Sequence, residues 1–122
     1  MAVAKDIMNK HIVGVSRTTK ITTAIRLVST SKVNILPVLE GRKLCGMVSE
    51  SDLNKYSGTN SEIGDIVRKP VFVESNYDLH KVSMALINNR IGRIPVVLDR
   101  HSMICIGTIS STDVVKMLNK KR

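Results

Sequence analysis

The sequence has no tryptophan, and Tyr56, Phe72 and Tyr77 are its only aromatic residues. A core of stacked rings is excluded, and so is the aromatic platform on which many proteins stack the bases of single-stranded nucleic acid. Only two cysteines occur, Cys45 and Cys105, each inside an apolar run and neither in a CxxC spacing. Neither a zinc site nor a disulfide framework is indicated, and buried reduced thiols are expected. No run approaches the ~18 apolar residues of a spanning helix, and Met1-Ala2-Val3-Ala4-Lys5-Asp6 has no apolar signal core. The expectation is a soluble, cytoplasmic protein without a membrane partner.

Catalytic signatures are missing too. There is no glycine-rich phosphate loop, paired-carboxylate signature or nucleophile elbow. His11, His80 and His101 share no spacing. No catalytic residue, catalytic cofactor or metal ligand is indicated, and an enzyme is not expected.

What the chain does have is aliphatic bulk, positive charge and a repeat. Its 122 residues are 43% hydrophobic, enough for one compact core built from Val, Ile, Leu and Met. Nineteen Lys and Arg against ten Asp and Glu give a net charge of +9, spread over both halves. Such a field favours anionic partners, whether nucleotide or nucleic acid. A basic surface that keeps a small protein soluble is the alternative.

Self-similarity runs through the whole length. Asp6-Ile7-Met8-Asn9-Lys10 is echoed by Asp65-Ile66-Val67-Arg68-Lys69, and Ile35-Leu36-Pro37-Val38-Leu39 by Arg93-Ile94-Pro95-Val96-Val97. Leu44-Cys45-Gly46-Met47-Val48-Ser49-Glu50-Ser51-Asp52 is echoed by Cys105-Ile106-Gly107-Thr108-Ile109-Ser110-Ser111-Thr112-Asp113. The offset is 58 residues at the prolines (37 to 95) and 61 at the aspartates (52 to 113), because the second copy has extra residues around Asp99-Arg100-His101-Ser102. A hairpin loop tolerates such an insertion. The polar segment Ser57-Gly58-Thr59-Asn60-Ser61 reads as the connector. The copies are therefore set at 1–58 and 59–122, together one compact domain.

Each copy reads as the same series of elements. A short helical turn (about 4–8 or 62–67) leads to a brief apolar strand at Ile12–Val15 or Val71–Val73. An amphipathic helix follows, with Ile21, Ala24, Ile25, Leu27 and Val28, or Leu79, Val82, Leu86 and Ile87, on its apolar face. A hairpin then opens at the proline-bearing strand, and a closing helix starts after Ser49 or Ser110. The terminal Lys120-Lys121-Arg122 reads as a basic tail.

The Ser-x-x-Asp motifs carry the chemistry. A carboxylate in the first turn of a helix can accept two hydrogen bonds from a vicinal diol, as acidic residues do with a ribose. Hydroxyls and unpaired N–H groups at a helix start suit a phosphate. Ser49, Ser51 and Asp52, and again Ser110, Thr112 and Asp113, supply both. A plain helix capping box fits the same residues.

The ordered set, twice over and across nearly the whole chain, resembles a tandem pair of CBS domains, the module named for cystathionine β-synthase. The resemblance implies an α+β fold of two β-α-β-β-α repeats about a pseudo-twofold axis. Their sheets would pack face to face with helices outside and two clefts between. It implies a stand-alone regulatory module whose ligand is AMP, ADP, ATP or S-adenosylmethionine. The regulatory subunits of AMP-activated protein kinase supply the binding pattern. Carried over, the main cleft combines Ser110, Thr112 and Asp113 with Arg93 for the phosphate and Val13, Val33 and Asn34 beside the base. The second cleft uses Ser49, Ser51 and Asp52 with Val71, Ile91 and Gly92; Ile35 stands there in place of Arg93, so a cation is lacking. The resemblance further implies a homodimer and a regulated protein partner. A basic nucleic-acid-binding protein is the alternative from the charge, and a dimerisation module with empty clefts is the third reading.

Overall fold

In a computed structural model that describes residues 2–120, eleven elements follow one another, none longer than 11 residues. Lys121 and Arg122 of the basic tail lie outside the described residues. The chain divides into two packing units. One is continuous, Val13–Pro70. The other is discontinuous and joins the chain up to Ile12 to the chain from Val71 onward. Packing units and sequence copies thus cut the chain at different places.

The continuous unit holds α2 (Ile21–Ser31), β1 (Ile35–Glu40), β2 (Lys43–Ser49), α3 (Glu50–Lys55) and a 3-10 turn at Ile63–Asp65. β1 and β2 form an antiparallel hairpin closed at Gly41, whose φ of 61° suits glycine. The expected strand at Ile12–Val15 contracts to a single parallel bridge. Val15 donates to the Pro37 carbonyl (3.1 Å) and accepts from Leu39 N–H (2.7 Å). The chain turns away at once, because Ser16 and Thr19 bond each other across a turn. On the far edge of the hairpin Arg68 bridges Met47 through two main-chain bonds of 2.9 and 3.0 Å. Ile21, Ala24 and Val28 of α2 close over Leu36, Val38 and Val48 with Leu53 and Ile63.

The discontinuous unit repeats this plan with α1 (Ala4–Ile7), β3 (Val73–Glu74), α4 (Leu79–Asn89), β4 (Arg93–Val97), β5 (Cys105–Ser110) and α5 (Ser111–Lys120). β3 runs parallel to β4, and β4 is antiparallel to β5. β3 begins at Val73, two residues later than the expected strand. Here the outer edge is taken by Asn9, which bridges Thr108 with bonds of 2.7 and 2.9 Å. Val82 and Leu86 of α4 pack on Val73, Ile94, Val96 and Ile109, with Ala4 and Val114. The extra residues of the second copy fold back onto the unit: Arg100 bonds Glu74 and Tyr77 (2.8 Å each) and lies 5.9 Å from the Phe72 ring centroid.

In both units the motif glycine faces the crossing segment. A methyl at Gly46 would meet Val67 and come within 2.9 Å of the Arg68 carbonyl oxygen. One at Gly107 would lie 2.8 Å from the Asn9 carbonyl oxygen and 2.7 Å from Met8 Sδ. The glycine before each Ser-x-x-Asp motif is therefore what lets the outer segment pair with β2 or β5.

Candidate functional site

Each hairpin's second strand runs straight into a helix, so the strand's last residue is also the helix N-cap. Ser49 caps α3: its Oγ accepts Asp52 N–H (3.0 Å), and its own N–H donates to Asp52 Oδ2 (3.2 Å). Ser110 and Asp113 repeat the pair at α5, at 3.1 and 2.9 Å. The capping box is thus real in both copies. It also orients each carboxylate and uses only Oδ2, so capping and ligand binding are compatible.

The structure brings Arg93, Ser110 and Asp113 together. Arg93 is the cross-strand partner of Ser110 in the β4–β5 register, and its Nη1 donates to Thr108 Oγ1 (3.1 Å). Gly92 accepts the Ser111 N–H (2.9 Å) and so ties the turn before β4 to the start of α5. Thr112 is exposed on the first turn of α5. Among the described residues, the Ser110 N–H is the only hydrogen-bond donor on the Asp113 carboxylate, and no ion pair involves it. A groove of roughly 430 Å³ beside it is lined by Asp6, Ile7, Lys116, Met117, Asn119 and Lys120.

Val71 and Ile91 pack on the core of this same unit. Val13 and Val33 pack on the core of the continuous unit, and exposed Asn34 accepts the Glu50 N–H (2.8 Å), as Gly92 does for Ser111.

The continuous unit differs at its carboxylate. Ile35 is the register partner of Ser49 where Arg93 faces Ser110. Asp52 is only 5% exposed, and its Oδ1 accepts a 2.6 Å bond from Arg68 Nη2. Ser51 is exposed. Sequence reasoning missed Arg68, although a signal was present: it stands in the echo of Asp6–Lys10, where the first copy has Asn9.

Burial pushes the Asp52 carboxyl up, but the Arg68 hydrogen bond, the Ser49 bonds and the guanidinium charge together bring it below its ordinary value. The folded state thus holds this proton less tightly than the unfolded chain. The group contributes stability above the unfolded value of about 4 that is lost as pH falls through the lower folded value. The melting temperature is expected to decline below a pH of about 4, and thermal melts of Asp52→Asn should decline less over that range. An equal decline would remove Asp52 as a cause.

Among the described residues no group of three or more His, Cys, Asp or Glu could hold a metal ion, and no helix is long and apolar enough to cross a membrane.

The family model for the CBS domain matches residues 4–58 and again 63–120. Among curated proteins the chain is similar to inosine-5'-monophosphate dehydrogenase of Thermoplasma acidophilum, 28% identical over 112 residues, which are 91% of this chain and 22% of that one. It is also similar to an uncharacterized protein of Methanocaldococcus jannaschii, 26% identical over 91% of this chain and 42% of the relative. The chain therefore spans less than half the length of these relatives. Among solved structures it resembles CBSX2 in complex with AMP, at 26% identity, a TM-score of 0.86 and full coverage of both chains; CBSX2 is from Arabidopsis thaliana. A CBS domain pair in complex with 5'-methylthioadenosine and S-adenosyl-L-methionine shares the fold, at 21% identity and a TM-score of 0.82 over 100% of this chain and 99% of that one.

Proposed function

The chain belongs to the CBS domain family, and from that premise we propose that it is a regulatory module binding an adenosine-containing ligand through Ser110, Thr112, Asp113 and Arg93. One observation carries the reading. The Asp113 carboxylate is turned by the Ser110 N–H so that Oδ1 has no partner among the described residues, and Arg93 stands opposite Ser110 in the sheet register. A carboxylate with an uncommitted oxygen suits the ribose diol, and a guanidinium suits phosphate. CBSX2, seen with AMP, supports the ligand class.

The module acts by differential affinity: ligand favours one state of the pair, and a protein partner reads that state. Met84 and Ile87 of α4 with Val115 and Leu118 of α5 are exposed apolar residues that favour a homodimer through this face.

A thermal-shift series with AMP, ADP, ATP and S-adenosylmethionine tests the function. A ligand that binds only the folded state at 100 times its Kd stabilises by about 2.7 kcal/mol, so at least one is expected to raise the midpoint. Insensitivity to all four, together with salt-sensitive retention of RNA or DNA, favours the nucleic-acid reading instead.

A further inference from the structure

The Ser-x-x-Asp motif occurs twice, yet its two carboxylates are in different states. Asp113 has one donor among the described residues; Asp52 has two, and the second is a side chain of its own unit. We propose that Arg68 is a built-in occupant of the first copy's carboxylate, so that the chain takes one adenosine nucleotide, on Ser110–Asp113, rather than two. This rests on the reading above that the motif holds a ribose.

The guanidinium does to Asp52 what a diol would do. Its Nη2 donates to Oδ1 at 2.6 Å, while Oδ2 stays on the Ser49 N–H. The main chain brings Arg68 to this carboxylate: its backbone is held to Met47 by two bonds, and Gly46 leaves room for the crossing. A neutral diol would have to displace a charge-assisted bond to a carboxylate that is almost fully buried. On the phosphate side Ile35 faces Ser49, where the other copy has Arg93.

The other unit makes the same crossing with a different residue. Asn9 pairs with Thr108 as Arg68 pairs with Met47. Its shorter side chain folds back locally, Oδ1 accepting the His11 N–H at 2.9 Å. One position, asparagine in one copy and arginine in the other, thus distinguishes the open carboxylate from the occupied one.

Counting bound ligand decides the matter. The full chain is titrated calorimetrically with AMP and with adenosine, the latter because the first copy lacks a phosphate cation. Wild type is expected to take one AMP per chain. Arg68→Asn is expected to take a second equivalent of adenosine, lost again on adding Asp52→Ala. The reciprocal variant Asn9→Arg, at an exposed position, is expected to weaken AMP at least tenfold with its circular dichroism unchanged. Should Arg68→Asn not fold, Asn9→Arg decides alone.

Two AMP per wild-type chain would overturn the inference and leave the functional reading standing. So would a folded Asn9→Arg with unchanged affinity. If Arg68→Asn instead loses the single wild-type site, Arg68 is a ligand contact and not a plug. No binding of AMP or adenosine by wild type removes the functional reading, and this inference with it.

Discussion

Changing Asp113 to alanine is expected to weaken AMP binding about 10- to 100-fold. The lost contact is a charge-assisted hydrogen bond of about 1.5–3 kcal/mol, and about 1.4 kcal/mol is tenfold in Kd. Alanine also removes the acceptor for the Ser110 N–H (2.9 Å), one half of the α5 capping box, while the Ser110 Oγ still accepts the N–H of residue 113. Such a hydrogen bond is itself worth about 1 kcal/mol of stability. Asp113→Asn separates the two effects, because the amide oxygen still accepts the Ser110 N–H while the charge is gone. Melts without ligand should show Ala below Asn and Asn near wild type; titrations should show both variants weak. Asp52→Ala is the contrasting case: it loses the buried carboxylate's bonds to Arg68 and to the Ser49 N–H and hence stability, with AMP affinity little changed. Equal affinity in wild type and both Asp113 variants would contradict the assignment of the ribose to this carboxylate.

The other large effect is expected at Gly107. Its would-be methyl meets main chain, the Asn9 carbonyl oxygen at 2.8 Å, and not merely the movable end of Met8. Either Asn9 leaves β5 and forfeits its two bonds to Thr108, or the strand shifts within a core where Ile94, Val96 and Ile109 are fully buried. Overpacking of this kind costs about 1–3 kcal/mol, a fall in melting temperature of about 5–15 °C for a chain of this size. Gly46→Ala should behave alike, since the Arg68 carbonyl oxygen lies 2.9 Å from that site. It should also disturb the Arg68–Asp52 pair. Gly58→Ala, where nothing lies within 4 Å but φ is 84°, should cost only the strain of a positive φ. Differential scanning calorimetry of the three variants checks the order, and a Gly107→Ala midpoint at or above that of Gly58→Ala would contradict it.

Local pattern made much of the fold readable. The prolines at 37 and 95 announce the first strand of each hairpin, the 3.6-residue spacing of Ile21, Ala24 and Val28 announces α2, and Ser49 and Ser110 announce the helices they cap. What could not be read was pairing between distant segments. Asn9 bridges Thr108 across 99 positions, and Arg68 bridges Met47 on the edge of a hairpin already complete in sequence. Both contacts depend on backbone approach at a glycine, and a periodicity of side chains carries no signal for that. The first strand is shorter than its residue types suggest for a related reason. Ile12, Val13 and Val15 look like strand, but only Val15 pairs before the Ser16–Thr19 turn takes the chain away.

The candidate site divided along the same line. Types and order within Ser110–Asp113 are a sequence property, and so is the contrast of Arg93 with Ile35, which the sheet register places at matching positions. The occupancy of each carboxylate is not. Arg68 reaches Asp52 because a segment 16 residues further on crosses back over β2, and the two motifs become unequal through that crossing as well as through Arg93.

The central claim is that an adenosine nucleotide sits on the second copy's motif. Its most direct test is an AMP titration of the labelled full chain followed by amide 1H–15N chemical shifts. The largest saturable shifts are predicted at the backbone amides of Gly92, Arg93, Ser110, Thr112 and Asp113, with Ser49, Ser51 and Asp52 moving little. Saturable shifts centred on Ser49–Asp52, or none at either motif up to millimolar AMP, would contradict it.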